Sequence, residues 1–316
     1  MSRRTKDFLE LWSGCFAAGR AAISRGFAAV PFDKFRDLGK TNVDGEFCED
    51  LLCRSGFDNA VSATLEVRRG GFLLMAPTCS SMGFPNSSRC KRTIDNPWGD
   101  VGYDKVQTGN AEAHVCKFFI NLGVARNLFV VVENPPGSWL WAILADEMQR
   151  YVTSVKTVPR CAFDDDPPGS KYFKPYKFAS FATDADVANA IQNLQGKCQC
   201  PREVRNGRVI RKHLPLMIRN EAGGQCGRHG RLARSAAYPS RLGHALVLAW
   251  MGQSVLIEED DMVLLGTTSH TGENNDDGFD AGSEVSSAEP PIEPESEASI
   301  VSERYEPSEE GSSDHI

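Results

Sequence analysis

Cys79 closes an apolar run, Gly71-Phe72-Leu73-Leu74-Met75-Ala76, which stops at Pro77-Thr78 and continues Ser80-Ser81. A short apolar run bounded by turn residues is the pattern of a buried strand. In open α/β sheets, ligands sit just past the carboxyl ends of the strands. A thiol there is placed as a nucleophile; a cysteine packing in the core as a small hydrophobe is the other reading. A second, valine-rich run, Leu128–Val132, ends in Glu133-Asn134-Pro135 and brings a carboxylate and an amide to an equivalent place. Two more runs end in Glu10-Leu11-Trp12-Ser13-Gly14 and in Asp33. A strand, a glycine turn and a helix form a nucleotide-type cradle, because glycine lets the backbone approach a ligand. An acid ending the second strand is placed for ribose hydroxyls, with a solvated loop acid as the alternative.

These residues need elements to hold them. Strands are expected at Phe8–Trp12, Phe27–Phe32, Gly71–Ala76, Leu128–Val132, 151–158 and Tyr176–Phe181. Helices are expected at Ala17–Arg25, 55–69, 105–126, 139–150 and 184–193. Strands alternating with helices imply an α/β fold with a doubly wound, mostly parallel sheet. Residues 77–104 read as a long loop carrying a basic cluster, Arg89, Lys91 and Arg92. A loop that long in a compact domain is usually functional or mobile.

The formal charge of −7 over 316 residues averages two unlike parts. From Glu258 onward there are 18 acids against Arg304 alone, a formal −17; the rest carries 34 Lys and Arg against 24 acids, +10. The acidic stretch is nearly free of aromatics and is expected to be disordered over 257–316. Residues 196–235 carry ten basic residues against Glu203 and Glu221, and read as an irregular basic insert suited to phosphate contact. The expected domains are 6–195 catalytic, 196–236 the insert, 237–256 a returning helix, and the tail. The start, Met-Ser-Arg-Arg-Thr-Lys-Asp, has no apolar leader, and no stretch reaches membrane-spanning length, so nucleus or cytoplasm with reduced thiols is expected. Cys198-Gln199-Cys200 with His213, Cys226 and His229 is a candidate zinc set, but the spacing is not Cys-x₂-Cys and no metal is assigned.

In their order, the three strand ends resemble the cytosine-5 DNA methyltransferases, which use S-adenosylmethionine. That family's Asp-Leu-Phe-Ala-Gly motif is matched by Glu10-Leu11-Trp12-Ser13-Gly14, and its Pro-Cys turn by Pro77-Thr78-Cys79-Ser80-Ser81. Its Glu-Asn-Val motif is matched by Glu133-Asn134-Pro135, and its returning helix loosely by Tyr238-Pro239-Ser240-Arg241-Leu242-Gly243. The Pro-Thr-Cys-Ser-Ser turn and Lys174-Pro175-Tyr176-Lys177 are similar to a divergent branch of dinoflagellates and some retroelements. The resemblance covers about residues 6–252 and implies a Rossmann-like class I methyltransferase fold.

It further implies that Cys79 adds to C6 of a flipped-out cytosine, with Glu133 and Asn134 beside it. The thiolate would need nearby positive charge, expected from Arg89, Lys91 and Arg92. Glu10, Trp12, Ser13, Gly14, Asp33 and Asp50 would hold the cofactor. Arg89, Lys91, Arg92, Lys174, Lys177, Arg208 and Arg211 would contact DNA, RNA remaining open. The chain departs from the family at Phe16 and Ala17, where later glycines stand and crowding of the cofactor turn is expected. Thr78 replaces a second proline, and no Gln-x-Arg-x-Arg element is present. Two other classes remain open: an amino-methyltransferase using Asn134-Pro135-Pro136, and a nucleic-acid-binding module without activity.

Overall fold

The central strands are apolar on both faces, so they must be covered twice. β1 (Lys6–Leu11), β2 (Ala29–Phe32), β3 (Val67–Met75) and β4 (Phe129–Asn134) run parallel. β5 (Val152–Pro159) lies at the edge, and β6 (Pro175–Ala182) enters antiparallel between it and β4. The order is β2-β1-β3-β4-β6-β5. This is a Rossmann-like, doubly wound arrangement, with one reversed strand in an otherwise parallel sheet.

The computed structural model describes residues 5–34, 50–83, 87–164, 171, 174–205, 208–211, 213, 217–219, 225–227 and 238–252. The chain divides into Met1–Val263 and Leu264–Ile316, and all described residues belong to the first unit. The acidic stretch expected to be disordered lies outside them. No described helix is long and apolar enough to cross a membrane.

Side-chain parity separates the two layers. Leu9, Leu11, Leu73, Met75, Val130 and Val132 face a core shared with Phe119 and Ile120 of α4 (Asp104–Ala125) and with Leu140 and Trp141 of α5 (Leu140–Ile143). α2 (Arg54–Glu66) adds Ala60 and Ala63 to the same core. Phe8, Phe72, Leu74, Phe129 and Val131 face the other way, onto α1 (Ala17–Ile23) and α8 (Ser240–Trp250). α8 comes close to α1 because residue 243 is glycine: a Cβ there would stand 2.4 Å from the Ala17 carbonyl oxygen. Its far end is anchored by Trp250, whose indole N–H donates to Gly70 O at 2.8 Å and whose ring meets Phe8, Phe27 and Phe72.

Four details differ from the sequence expectation. The 77–104 loop contains a helical turn, α3 (Ser87–Cys90). The helix expected at 139–150 breaks at Leu144 into α5 and α6 (Ala145–Arg150). The segment 184–193 is α7 (Ala185–Asn189) followed by a 3₁₀ turn. Among its described residues the insert carries short strands: β7 (Arg202–Arg205) pairs with β8 (Arg208–Arg211), and β9 (Met217–Arg219) with β10 (Gln225–Gly227), both antiparallel.

Candidate functional site

The sheet register sets the site. Leu11 pairs with Met75, and Met75 with Val132, so Trp12–Gly14, Ala76–Cys79 and Glu133–Asn134 leave the same edge. β2 and β3 lie on opposite sides of β1, so the chain changes direction there, at the crevice where open α/β sheets bind ligands. Ala76 N–H donates to Leu11 O at 3.1 Å and ties the two loops together.

On the β1 side the turn is tightly wound. Trp12, Gly14 and Phe16 all have left-handed φ, at 55°, 53° and 54°. Gly14 N–H donates to Asp33 Oδ2 at 2.8 Å, so the acid ending β2 braces the turn. A Cβ on Gly14 would meet nothing within 4 Å, which leaves open space above the backbone. Phe16 turns its ring inward: it is buried in the α1 and α8 core against Gly19, where a Cβ would collide with it.

Glu10 needs correction as a cofactor residue. It shares the parity of Phe8 and lies buried beneath α1, accepting Gly19 N–H at 2.8 Å. Burial pushes its carboxyl up to about 8. It holds the first turn of α1 from below, where N–H groups lack helical partners. Asp50 is exposed and accepts Leu52 N–H in a local turn.

On the other side a buried polar group surrounds the thiol. Glu133 is 7% exposed; one carboxylate oxygen accepts the Tyr238 hydroxyl at 2.8 Å, and Oε1 is buried with no hydrogen-bond partner among the described residues. Burial pushes its carboxyl up, opposed by Lys174 and Tyr238. Asn134 turns to the opposite face, donates from Nδ2 to Pro77 O at 2.8 Å, and leaves Oδ1 buried and unsatisfied. Cys79 is half-buried. Burial raises its thiol above the usual range, Lys174 lowers it, and Glu133 and Glu112 raise it further. Its carbonyl accepts the N–H groups of Met82 and Gly83, so the turn closes without using the thiol.

Three positioning groups were missed by the sequence reading. Glu112 of α4 is buried and accepts both the backbone N–H and the hydroxyl of Thr78, which replaces the rigidity of the absent proline with a polar clamp. Tyr238, at the entry to α8, reaches Glu133, and its ring meets Tyr176 edge-on at 5.4 Å between centroids. Arg160 donates to the Tyr176 hydroxyl at 3.1 Å and to Asp164 at 3.0 Å. Apart from the i,i+4 pair Arg160–Asp164, no local spacing signals these contacts, since each joins residues on different elements.

The basic residues separate into distinct roles. The reversed direction of β6 brings its beginning to the active edge, where Asn134 pairs with Lys177. Lys174 Nζ lies 5.3 Å from the Tyr176 ring centroid, and Lys177 Nζ 4.4 Å from that of Trp141. Arg92 is corrected: it is 2% exposed, with its guanidinium donating to Ser81 O at 2.9 Å and Pro97 O at 2.6 Å. It braces the loop and offers nothing to a phosphate. The cation acting on Cys79 is Lys174, not the Arg89, Lys91 and Arg92 cluster. Arg89 is exposed, and Lys91 is exposed and paired with Asp100 at 2.7 Å. Arg208 and Arg211 lie on β8, and their side chains fall outside the description.

These charges give a signed expectation. Lys174→Met removes the cation that favours the thiolate, so alkylation of Cys79 by iodoacetamide at pH 8 is expected to slow several-fold. Glu133→Gln removes a negative charge and is expected to speed it several-fold. Peptide mapping of the labelled protein reads Cys79 separately from exposed Cys53. Equal rates in both variants would remove the electrostatic account.

No family model and no curated protein sequence matches the chain. Solved structures do. An Entamoeba histolytica methyltransferase, EhMeth, matches at 12% identity over 57% of this chain and 53% of its own, with a TM-score of 0.35. The S. pombe Dnmt2 methyltransferase matches at 12% identity over 56% and 49%, also at 0.35. A Spodoptera frugiperda DNMT2 mutant matches at 13% over 57% and 51%, again at 0.35. The chain thus matches about half the length of each neighbour.

Proposed function

We propose that the chain transfers a methyl group from S-adenosylmethionine to C5 of cytosine in DNA, with Cys79 as a covalent nucleophile. The supporting observation is Glu133 Oε1, a buried acceptor without a partner among the described residues, on the carboxylate whose charge acts on the Cys79 thiol. A buried polar atom without a partner costs about 1–3 kcal/mol, so such atoms mark where a ligand's polar groups belong. Cytosine presents N3 and an exocyclic amine on one edge. Glu133, held toward its neutral form by burial, is suited to protonate N3.

Protonation at N3 makes C6 electrophilic, and the Cys79 thiolate adds there, forming an S–C6 bond. The displaced π electrons make C5 nucleophilic. S-adenosylmethionine, when bound, supplies the electrophilic methyl that C5 accepts. A water then takes the C5 proton, the S–C6 bond breaks to restore the thiolate, and N3 returns its proton to Glu133. Trp12, Ser13, Gly14 and Asp33 would hold the cofactor, which fits the open face above Gly14 and the braced acid. Exposed Arg89 and Arg202, with the +10 charge of residues 1–257, suit phosphate contact. The target base must leave the duplex to reach a half-buried thiol.

An amine-directed reading has less support. The Pro135 carbonyl already accepts the Trp141 indole N–H at 2.8 Å and Ser138 N–H at 3.0 Å, so both lone pairs are used. The Asn134-Pro135-Pro136 turn therefore has no spare acceptor at that carbonyl for a target amine.

The test is trapping on duplex DNA containing 5-fluorocytosine, with methyl-labelled S-adenosylmethionine. Fluorine at C5 cannot leave as a proton, so a denaturation-stable protein–DNA adduct is expected. Cofactor binding with DNA binding but no adduct overturns the proposal and favours a binding module.

A further inference from the structure

Three thiols and an imidazole converge at the turn that follows β5. The Sγ atoms of Cys161, Cys198 and Cys200 and a ring nitrogen of His213 all lie within 4.8 Å of one another, and Cys198 Sγ stands 3.2 Å from His213 Nε2. They come from three separate places. Cys161 sits on the 3₁₀ turn Arg160–Ala162 that follows β5. Cys198 and Cys200 precede β7, and His213 follows β8. Cys161 and Cys200 are buried, Cys198 and His213 half-buried. None of the three cysteines is in a disulfide among the described residues. The approach is close: a Cβ on Gly196 would stand 2.7 Å from the Phe163 ring, so only glycine lets the 196–200 segment pass this turn.

We infer that Cys161, Cys198, Cys200 and His213 form a structural zinc site that staples the β7–β8 hairpin to the catalytic domain. Three thiolates and an imidazole are a standard closed zinc set, with all four positions filled by protein. At Zn–S of about 2.3 Å and tetrahedral angles, neighbouring sulfurs lie about 3.8 Å apart, close to the observed spread. Binding balances as Zn²⁺ replacing three thiol protons, which pass to solvent, while His213 binds as neutral imidazole. The Cys-x-Cys spacing concealed the set because its fourth member lies far away in sequence, on another element. The consequence reaches both sides of the turn. On one, the metal fixes the root of a hairpin bearing Arg202, Arg205, Arg208 and Arg211. On the other, Arg160 adjoins Cys161 and holds Tyr176, whose ring packs on Tyr238 beside Glu133.

The test is elemental analysis of the full chain, produced with zinc and purified without chelator. One zinc per chain is expected, released by a mercurial thiol reagent and detected with a chromogenic chelator. Cys161→Ser and His213→Ala are expected to lose it, while Cys53→Ser and Cys79→Ser retain it; retention in Cys79→Ser is independent of whether methyl transfer occurs. If the ligand variants do not fold, Co²⁺ bound to the unaltered chain provides the readout, as intense tetrahedral d–d bands with thiolate charge transfer. Substoichiometric zinc with no such cobalt spectrum overturns the inference. So does iron in place of zinc, or a disulfide joining Cys161 to Cys198 or Cys200 in freshly isolated protein.

Discussion

Cys79→Ser is expected to lower methyl transfer by about 10³-fold or more and to abolish the fluorocytosine adduct, while cofactor and DNA binding persist. The exchange changes one atom. The turn around it is held by the Cys79 carbonyl and by Glu112 on Thr78, neither of which involves the thiol. Any loss therefore reports chemistry, because a serine hydroxyl is far less acidic and less nucleophilic than a thiol. Single-turnover transfer of a labelled methyl group is the measurement. A variant that stays within about tenfold of the unaltered chain would end the covalent reading. The pH dependence supplies a second check. Burial, Glu133 and Glu112 raise the thiol, and Lys174 lowers it, so the thiolate is a minor form at neutral pH. The transfer rate is expected to climb as pH rises from neutral, as more of the raised thiol ionises.

Glu10→Gln is expected to make folding stability less dependent on pH, and to stabilise the protein at pH 8 and above. Glu10 titrates near 4.5 as an ordinary carboxyl and near 8 when buried beneath α1. The folded state therefore binds this proton more tightly than the unfolded state. Its stabilising effect is fully present below about 4.5 and is lost progressively as pH rises to about 8. The span corresponds to roughly 5 kcal/mol at most. Glutamine mimics the neutral acid: it keeps an oxygen for Gly19 N–H and carries no charge to desolvate. Denaturant unfolding of both proteins at pH 5 and pH 8 reads the difference. A Glu10→Gln protein less stable than the parent at pH 8 would show that the ionised carboxylate is the favoured capping group.

Much of the site follows from local pattern. The apolar runs ending at Leu11, Phe32, Met75 and Val132 mark four parallel strands, because a strand covered on both faces has no polar alternation. Their carboxyl ends lie at one edge, so Cys79, Glu133, Asp33 and the Trp12–Gly14 turn converge without any knowledge of side-chain packing. Parity places Glu10 on the face of Phe8, which packs on α1, but only the folded structure shows its carboxylate taken by Gly19 N–H.

What the sequence could not show is every contact that joins distant elements. Glu112 on Thr78, Tyr238 on Glu133, and Cys161 beside Cys198 and His213 are neighbours only because helices and a reversed strand fold over the sheet edge. Arg92 shows the same limit in reverse. In sequence it belongs to an exposed basic cluster, but in space four carbonyl and hydroxyl oxygens surround its guanidinium. Secondary structure is decided by periodicity over a few residues, so one chain carries its own evidence for it. Burial of a charged group, and the partner that makes burial tolerable, depend on which surfaces meet after folding, and here only the tertiary structure decided them.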